Sequence, residues 1–380
     1  MEVAAETSGD TAFMTRVLVV NTGSSSLKWT VLTSDKQVLR DANEPWSSDE
    51  RNARVKQIRT ALTQAPAFDV IGHRVVHGGT LYRDAVLIDA DVRAQLGRLA
   101  SLAPEHMECA LEGIDAAQSA FPGVAQVAVF DTAFHATLGE AAAGYGLPFE
   151  WTERFGIRRF GFHGLSVAHA VVRSGEILGA VPERLLVCHL GNGSSITAVK
   201  GGRSIDTTMG FSPLEGVMMG TRSGSVDPGV LLYLQEHCGV DVGELRETLT
   251  SRSGLRGVSG ISGDLRQVLA AAERGNVRAE LAYDRFVHLL RRGLGSMLGV
   301  LHGVDAIAFT GGVGENSARV RSDVTRAFDF CGVELNEAVN AVTRSDGLVS
   351  TSGSRVSVLV LRSREDLAVL AAVLGLRPGA

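Results

Sequence analysis

Several short stretches of the chain gather residues suited to holding phosphate. From Val17 to Trp29 the sequence reads VLVVNTGSSSLKW: an apolar run, then Asn21, Thr22, Gly23, three serines, and Lys28. Glycine removes the Cβ that would keep a ligand away from backbone N–H groups. Serine adds hydroxyl donors, and successive N–H groups in a turn form an anion nest. Lys28 supplies charge. Asn21 offers a neutral oxygen at a strand end, which suits a hydrated Mg²⁺. The stretch from Leu185 to Val199, LLVCHLGNGSSITAV, repeats the design with Gly191, Asn192, Gly193, Ser194 and Ser195 at its tip. Two such tips could hold a polyphosphate. Plain hairpin turns would use the same residues, and the residues alone leave both readings open.

Titratable groups sit at comparable places. Arg74 lies within HRVVHGG (73–79), a cation inside a strand pattern. Asp131 directly follows the apolar run that ends at Phe130. RRFGFHG (158–164) places two arginines, two aromatics and His163 around glycines, and MGTRSG (219–224) carries Arg222 on a Gly-rich loop. TGGVGEN (310–316) follows another apolar run, and Glu365 precedes the last apolar stretch. Each has an ordinary structural reading: a strand-end Asp as helix cap, a His among aromatics as core, Glu365 as a charge complementing a helix dipole. Together they describe a site rich in anion-binding groups beside carboxylates that could organise metal.

Other chemistries lack their signatures. No Walker A loop, protein-kinase set, H-E-x-x-H or G-x-S-x-G elbow occurs. The net charge is −5 with no long basic run, which argues against nucleic acid and anionic membrane as partners. The four cysteines, Cys109, Cys188, Cys238 and Cys331, are widely spaced, which argues against a disulfide scaffold or zinc knuckle and fits a reducing cytoplasm. No apolar run reaches membrane-spanning length.

The elements that must position these groups follow from periodicity. Val17–Val20, Val70–Val76, Val124–Phe130, Leu185–Leu190, Ala306–Thr310 and Val356–Leu361 read as strands, several buried on both faces. Ala94–Leu102, Ser166–Leu178, Ala279–Leu301 and Glu365–Leu374 read as helices. The alternation predicts an α/β fold. The two Gly/Ser hairpins, each opening about half of the chain, predict a duplicated architecture, with two related halves facing a cleft.

The separated motifs VLVVNTGSSSLKW, GHRVVHGG, VFDTAFH, LPFEWTERFGIRRFGFHG, HLGNGSS, MGTRSG with VDP, SGLRGVSGISGDLR and FTGGVGENS, in this order, resemble those of the acetate kinases. These belong to the superfamily that also holds sugar kinases, heat-shock ATPases and actin. The resemblance runs from about Thr15 to Leu374. It implies two ribonuclease-H-like, actin-type α/β domains with a central cleft: residues 15–134 plus 366–380, and residues 135–365, with 1–14 a disordered leader. It implies reversible transfer of the ATP γ-phosphoryl to acetate, giving acetyl phosphate and ADP, with Mg²⁺, or Mn²⁺ in its place. A cytoplasmic homodimer is inherited from the same source.

Matched motif by motif, the resemblance puts Asn21 and Glu365 at the metal and Asp131, His163 and Arg222 at the reaction. Arg74, Val76 and Pro213 fall at the carboxylate and its methyl group. Lys28, His189, Leu190, Gly191, Asn192, Gly193, Asp264, Leu265, Arg266, Gly311, Gly312, Val313, Gly314 and Glu315 fall at the nucleotide. Elementary chemistry agrees with the division. A carboxylate ionises near pH ~4 and is already a nucleophile at neutral pH, so no general base is required. Positioning and charge neutralisation must then supply the catalysis, a task for guanidinium groups, an imidazole and a divalent ion. Asp131 is accordingly read as an organiser of metal or arginine rather than a proton acceptor.

Three positions depart from the family pattern: Glu105 stands where an apolar pocket residue is usual, Val167 replaces a histidine, and Ser225 replaces an aspartate. Glu105 bears on acyl-chain preference, so propionate or butyrate kinase activity is the nearest alternative. A nucleotide-switched binding protein is the alternative from a different class. The presence of Arg74, Arg222 and His163 argues against it, because a binder needs no carboxylate clamp.

Overall fold

The computed structural model describes residues 14–23, 26–48 and 50–376. Residues 1–13 of the expected leader, the tip residues Ser24 and Ser25, and the side chain of Glu105 lie outside the described residues. The chain divides into two compact units. The first comprises Met1–Val75, Ala85–Val129 and Val369–Ala380, and the second Val76–Asp84 and Phe130–Ala368.

The first unit is built on strands β1 (Arg16–Thr22), β2 (Ser26–Thr33), β3 (Val38–Pro45), β4 (Val70–Val75), β5 (Val86–Leu87) and β6 (Gln126–Phe130). Their order in the sheet is β3-β2-β1-β4-β6-β5. β1 pairs with β2 as an antiparallel hairpin and with β4 in parallel. Leu18, Val20, Leu27, Trp29 and Val31 pack with Ile58 and Leu62 of the Arg51–Leu62 helix and with Ala116 and Ala117 of the Pro104–Ala120 helix. Gly72 of β4 lies under the last helix, Glu365–Gly375. A Cβ there would stand 2.7 Å from Val369 and 2.9 Å from Val373.

The second unit carries β7 (Arg184–Leu190), β8 (Ser194–Lys200), β9 (Arg203–Thr207), β10 (Ala306–Thr310), β11 (Gly347–Leu348) and β12 (Ser357–Val360), ordered β11-β12-β10-β7-β8-β9. Read from its other edge this is the order of the first sheet, strand for strand. β7 begins 168 residues after β1 (184 against 16), and β8 begins 168 after β2 (194 against 26). The duplication expected from the two hairpins therefore extends to the whole sheet. Leu186, Ile307 and Val358 face the Val277–Leu301 helix side, while Leu185, Val187, Ala306 and Ala308 pack against the Gly164–Leu178 helix. Cover on both faces is why β7 and β10 read as continuous apolar runs rather than alternating ones. Val167, the departure from a histidine, has no exposed surface and belongs to this second core layer.

The expected strands all form, each within a few residues of its predicted limits. The Ala94–Leu102 expectation resolves into a helix Ala90–Leu99 and a single 3₁₀ turn Ala100–Leu102. The Pro104–Ala120 helix has no counterpart among the expected elements. Its inner face carries Glu112, nearly fully buried, which breaks the apolar periodicity. Arg54 of the Arg51–Leu62 helix compensates it with two contacts, Nε to Oε2 at 2.9 Å and Nη2 to Oε1 at 2.7 Å.

Candidate active site

In the first unit the β1–β2 hairpin and β4 bring three predicted residues to one end of the sheet. Asn21 and Lys28 are directly opposite in the antiparallel register. Because β4 runs parallel beside β1, with Val20 opposite His73, Arg74 falls next to Asn21. Arg74 Nη1 donates to Asn21 Oδ1 at 3.2 Å. Lys28 points outward from an otherwise buried stretch. His73, the neighbour of Arg74, turns into the core and bonds Gln126 Oε1 through Nε2 at 2.6 Å. Burial pushes its pKa down to about 4, so it is a neutral structural group rather than part of the cation set.

The second unit holds a tighter convergence, centred on the loop between β7 and β8. Gly191 N–H donates to Gly193 O at 2.9 Å, which makes the tip compact. His163 reaches it from the N-cap of the Gly164–Leu178 helix, in the left-handed region at φ 60°. A non-glycine residue there is uncommon and costs on the order of 1–3 kcal/mol unless its surroundings hold it. Here Gly164 N–H donates to Asp131 O at 2.8 Å, and a Cβ on Gly164 would stand 2.2 Å from that oxygen. The contact ties Asp131, itself almost fully buried, to the turn that presents His163. Arg222 approaches from another loop. A Cβ on Gly193 would lie 3.2 Å from His163 Nε2 and 3.3 Å from Arg222 Nη1, so both side chains close on one small peptide.

The Arg222 loop is held from below. Ser253 N–H donates to Thr221 O at 3.0 Å, Leu255 N–H to Met219 O at 2.9 Å, and Arg256 N–H to Gly220 O at 3.0 Å. Gly254, at φ 63°, sits so close that a Cβ would be 2.3 Å from Met219 O. Gly220 N–H in turn donates to Asn192 O at 3.1 Å, which joins this loop to the tip. Arg222 Nη1 donates to Pro213 O at 3.2 Å.

Pro213 is positioned by a clasp that sequence reasoning missed. Arg159 donates to Glu215 Oε1 at 3.0 Å and, through Nη1, to the carbonyls of Thr207, Thr208 and Met209. Tyr145 bonds the other Glu215 oxygen and accepts from Phe211 N–H at 2.8 Å. The Arg159 guanidinium is thus engaged in holding loop 207–215. Nothing in RRFGFHG separates that arginine from a ligand-binding one, because its carbonyl partners lie 48–50 positions away.

Of the remaining predicted residues, Gly311 lies nearest the tip in the contacts described. Gly311, at φ 77°, packs against the end of β7, where a Cβ would be 2.7 Å from Leu190 O. Gly311, Gly312, Val313, Gly314 and Glu315 form the short Gly311–Asn316 helix directly after β10. Glu315 Oε1 accepts from Ser363 N–H at 2.9 Å. Asp264 caps the Leu265–Glu273 helix by accepting from Arg266 N–H at 2.9 Å. The Arg266 guanidinium, 2.6 Å away, holds the Asp264 carboxyl below its usual range. Leu190 and Leu265 bury their side chains in the core, so each offers a ligand only backbone. Val76 is buried at the start of the second unit, and Glu365 opens the last helix. Ser225, the third departure, accepts from Gly216 N–H at 3.1 Å and pins the loop next to Pro213. Among the described residues no group of three His, Cys, Asp or Glu side chains could hold a metal.

A family model described as the acetokinase family matches residues 42–371. The chain belongs to the acetokinase family. It is an enzyme, a kinase. It is 51% identical to an acetate kinase of Nostoc punctiforme over 79% of this chain and 75% of the relative. It is 43% identical to an acetate kinase of Trichormus variabilis over 93% of this chain and 97% of the relative. Among solved structures, an acetate kinase from Porphyromonas gingivalis matches at TM-score 0.86 and 35% identity, covering 95% of this chain and 99% of that one. A propionate kinase from Francisella tularensis matches at TM-score 0.86 and 33% identity, covering 94% and 99%. The mixed α/β fold with two six-stranded sheets is that of the family.

Proposed function

We propose that this protein is an acetate kinase: it transfers the γ-phosphoryl of ATP to acetate in a direct in-line step, reversibly, giving acetyl phosphate and ADP. The observation that carries the reading is the convergence of His163 Nε2 and Arg222 Nη1 on the Gly193 peptide. A Gly/Asn tip admits phosphate oxygens to backbone N–H groups. A guanidinium beside it offsets the charge that spreads over the equatorial oxygens during transfer, and an imidazole stabilises those oxygens by hydrogen bonding.

Arg74 holds the acetate carboxylate, with Val76 and Pro213 against its methyl group. No proton must leave the nucleophile, so Asp131 acts by fixing the turn that carries His163 and by organising charge, not as a base. Lys28 and the stretches 189–193, 264–266 and 311–315 take the nucleotide. Magnesium fits the donor set: Asn21 supplies a neutral oxygen, Glu365 a carboxylate, and this ion keeps most of its waters and needs few protein ligands. When bound, it would neutralise the β- and γ-phosphate oxygens; Mn²⁺ would serve in its place.

We also propose a cytoplasmic homodimer. All four thiols are free, as suits a reducing compartment. No described helix is long and apolar enough to cross a membrane. The Pro228–Cys238 helix is apolar yet has no buried residue, with Val230, Leu232 and Tyr233 exposed, which suits a second copy.

Propionate is the second reading, favoured by the propionate kinase that matches as well as the acetate kinase does. One methylene is worth only about 1–3 kcal/mol, so the choice is a matter of ratio. Trapping with hydroxylamine in the presence of ATP, Mg²⁺ and acetate, propionate or butyrate measures it. Acetate is expected to give the highest kcat/KM. Tight ATP binding with no hydroxamate from any acid would leave a nucleotide-switched binder instead.

A further inference from the structure

His163 and His189 are held by a crossed pair of serines. His163, on the N-cap of the Gly164–Leu178 helix, bonds Ser195 Oγ of β8 through Nδ1 at 3.0 Å. His189, on β7, bonds Ser166 Oγ of that same helix through Nδ1 at 2.8 Å. Ser195 is the cross-strand partner of His189, so each histidine is gripped by a serine from beside the other. The two rings stack with centroids 4.1 Å apart and planes 28° from parallel. Both serines are buried. Fixing Nδ1 turns both Nε2 atoms to the Gly191–Gly193 tip. A Cβ on Gly191 would lie 3.7 Å from His189 Nε2, and one on Gly193 lies 3.2 Å from His163 Nε2.

We propose that Ser195 and Ser166 are positioning residues, each donating its hydroxyl proton to Nδ1 so that both neutral imidazoles present Nε2–H to the phosphate at the tip. This rests on the kinase reading above. An acceptor at Nδ1 requires the proton to sit at Nε2, the tautomer that can donate to an anion. Ser166 Oγ also lies 3.4 Å from Ser363 Oγ, which can donate to it and so keeps the Ser166 proton directed at His189. Stacking at this distance disfavours charging both rings at once, since like charges repel. Neutral Nε2–H donors arranged in advance meet the charge that develops in transfer without reorganisation.

Two readouts test this. In ¹⁵N-histidine NMR of the wild-type protein, assigned with His163→Gln and His189→Gln, both residues should show the Nε2–H tautomer at neutral pH. The Nδ1–H tautomer at either would overturn the proposal for that serine, whether or not the protein phosphorylates acetate. In kinetics, Ser195→Ala should lower kcat about tenfold, the scale of one lost hydrogen bond, with KM for ATP changed less than twofold. In a His163→Gln background the same change should have no further effect, because Ser195 acts through His163. Additive losses, or wild-type kcat in Ser195→Ala, would overturn the role. Ser166→Ala, read through the His189 resonances, supplies the second variant should Ser195→Ala fold poorly: loss of the single Nε2–H tautomer is expected, and its persistence counts against the proposal.

Discussion

Gly193 lies against His163 so closely that a Cβ on it would stand 3.2 Å from the imidazole Nε2. The same Cβ would stand 3.3 Å from Arg222 Nη1. Both distances are tighter than ordinary contact, and both neighbours are side-chain ends that can shift by a few tenths of an ångström. Gly193→Ala is therefore expected to fold, with Tm within a few degrees of wild type, and to lose kcat by at least about tenfold because the two groups are displaced together. Circular dichroism and the hydroxamate assay separate the two effects. A variant with full turnover would show that neither group needs its present place.

Arg222 should be the most costly of the proposed catalytic side chains to remove. Arg222→Ala is expected to lower kcat by about 10³-fold or more, the range for an arginine that stabilises phosphoryl transfer. Arg222→Lys should not restore it, because a point charge cannot replace a planar guanidinium, whose Nη1 bonds Pro213 O beside Gly193 while its other N–H groups stay fixed in the same plane. Turnover near wild type in either variant would remove the assignment.

Acid should weaken the fold through buried histidines. His135 bonds Ser204 Oγ through Nδ1 at 2.9 Å and Phe162 O through Nε2 at 3.0 Å. Burial pushes its pKa down to about 4, from an ordinary 6.5. Between those values the unfolded chain binds a proton that the folded chain refuses. Stability is thus fully present above pH ~6.5 and falls as pH drops toward ~4, by on the order of 3 kcal/mol for one such group. His73 in the first unit behaves alike. Urea midpoints across this window should fall with pH, and His135→Gln should show a shallower slope. A flat profile would contradict the neutral assignment.

Arg54 should be required because Glu112 is buried. Removing one partner of a buried pair leaves an uncompensated charge, so Arg54→Met should destabilise the fold by about 3–5 kcal/mol in denaturant titration. Adding Glu112→Leu should recover most of that loss, since the pair replaced by apolar groups is often neutral. A single variant as stable as wild type would mean that Glu112 finds another cation; Arg51, at 3.9 Å, is the candidate.

The sheets and their duplication were legible in the sequence because strands covered on both faces leave long apolar runs, and because hairpin tips require Gly, Ser and Asn. The 168-residue echo read from two tips became twelve strands in one repeated order. The Pro104–Ala120 helix escaped because its buried Glu112 is matched by a residue 58 positions away. Periodicity sees only the near chain.

Sequence by itself determined which residue types are present and where glycine leaves a hairpin tip without a Cβ. It determined the family as well, since the motifs stand in order along one chain. Tertiary structure decided what each cation does. Arg159 and Arg222 look alike in sequence, yet one clasps three carbonyls and a carboxylate while the other turns to the Gly193 tip. The physical reason is that a guanidinium takes its role from the acceptors around it, and those acceptors come from loops that only folding brings near.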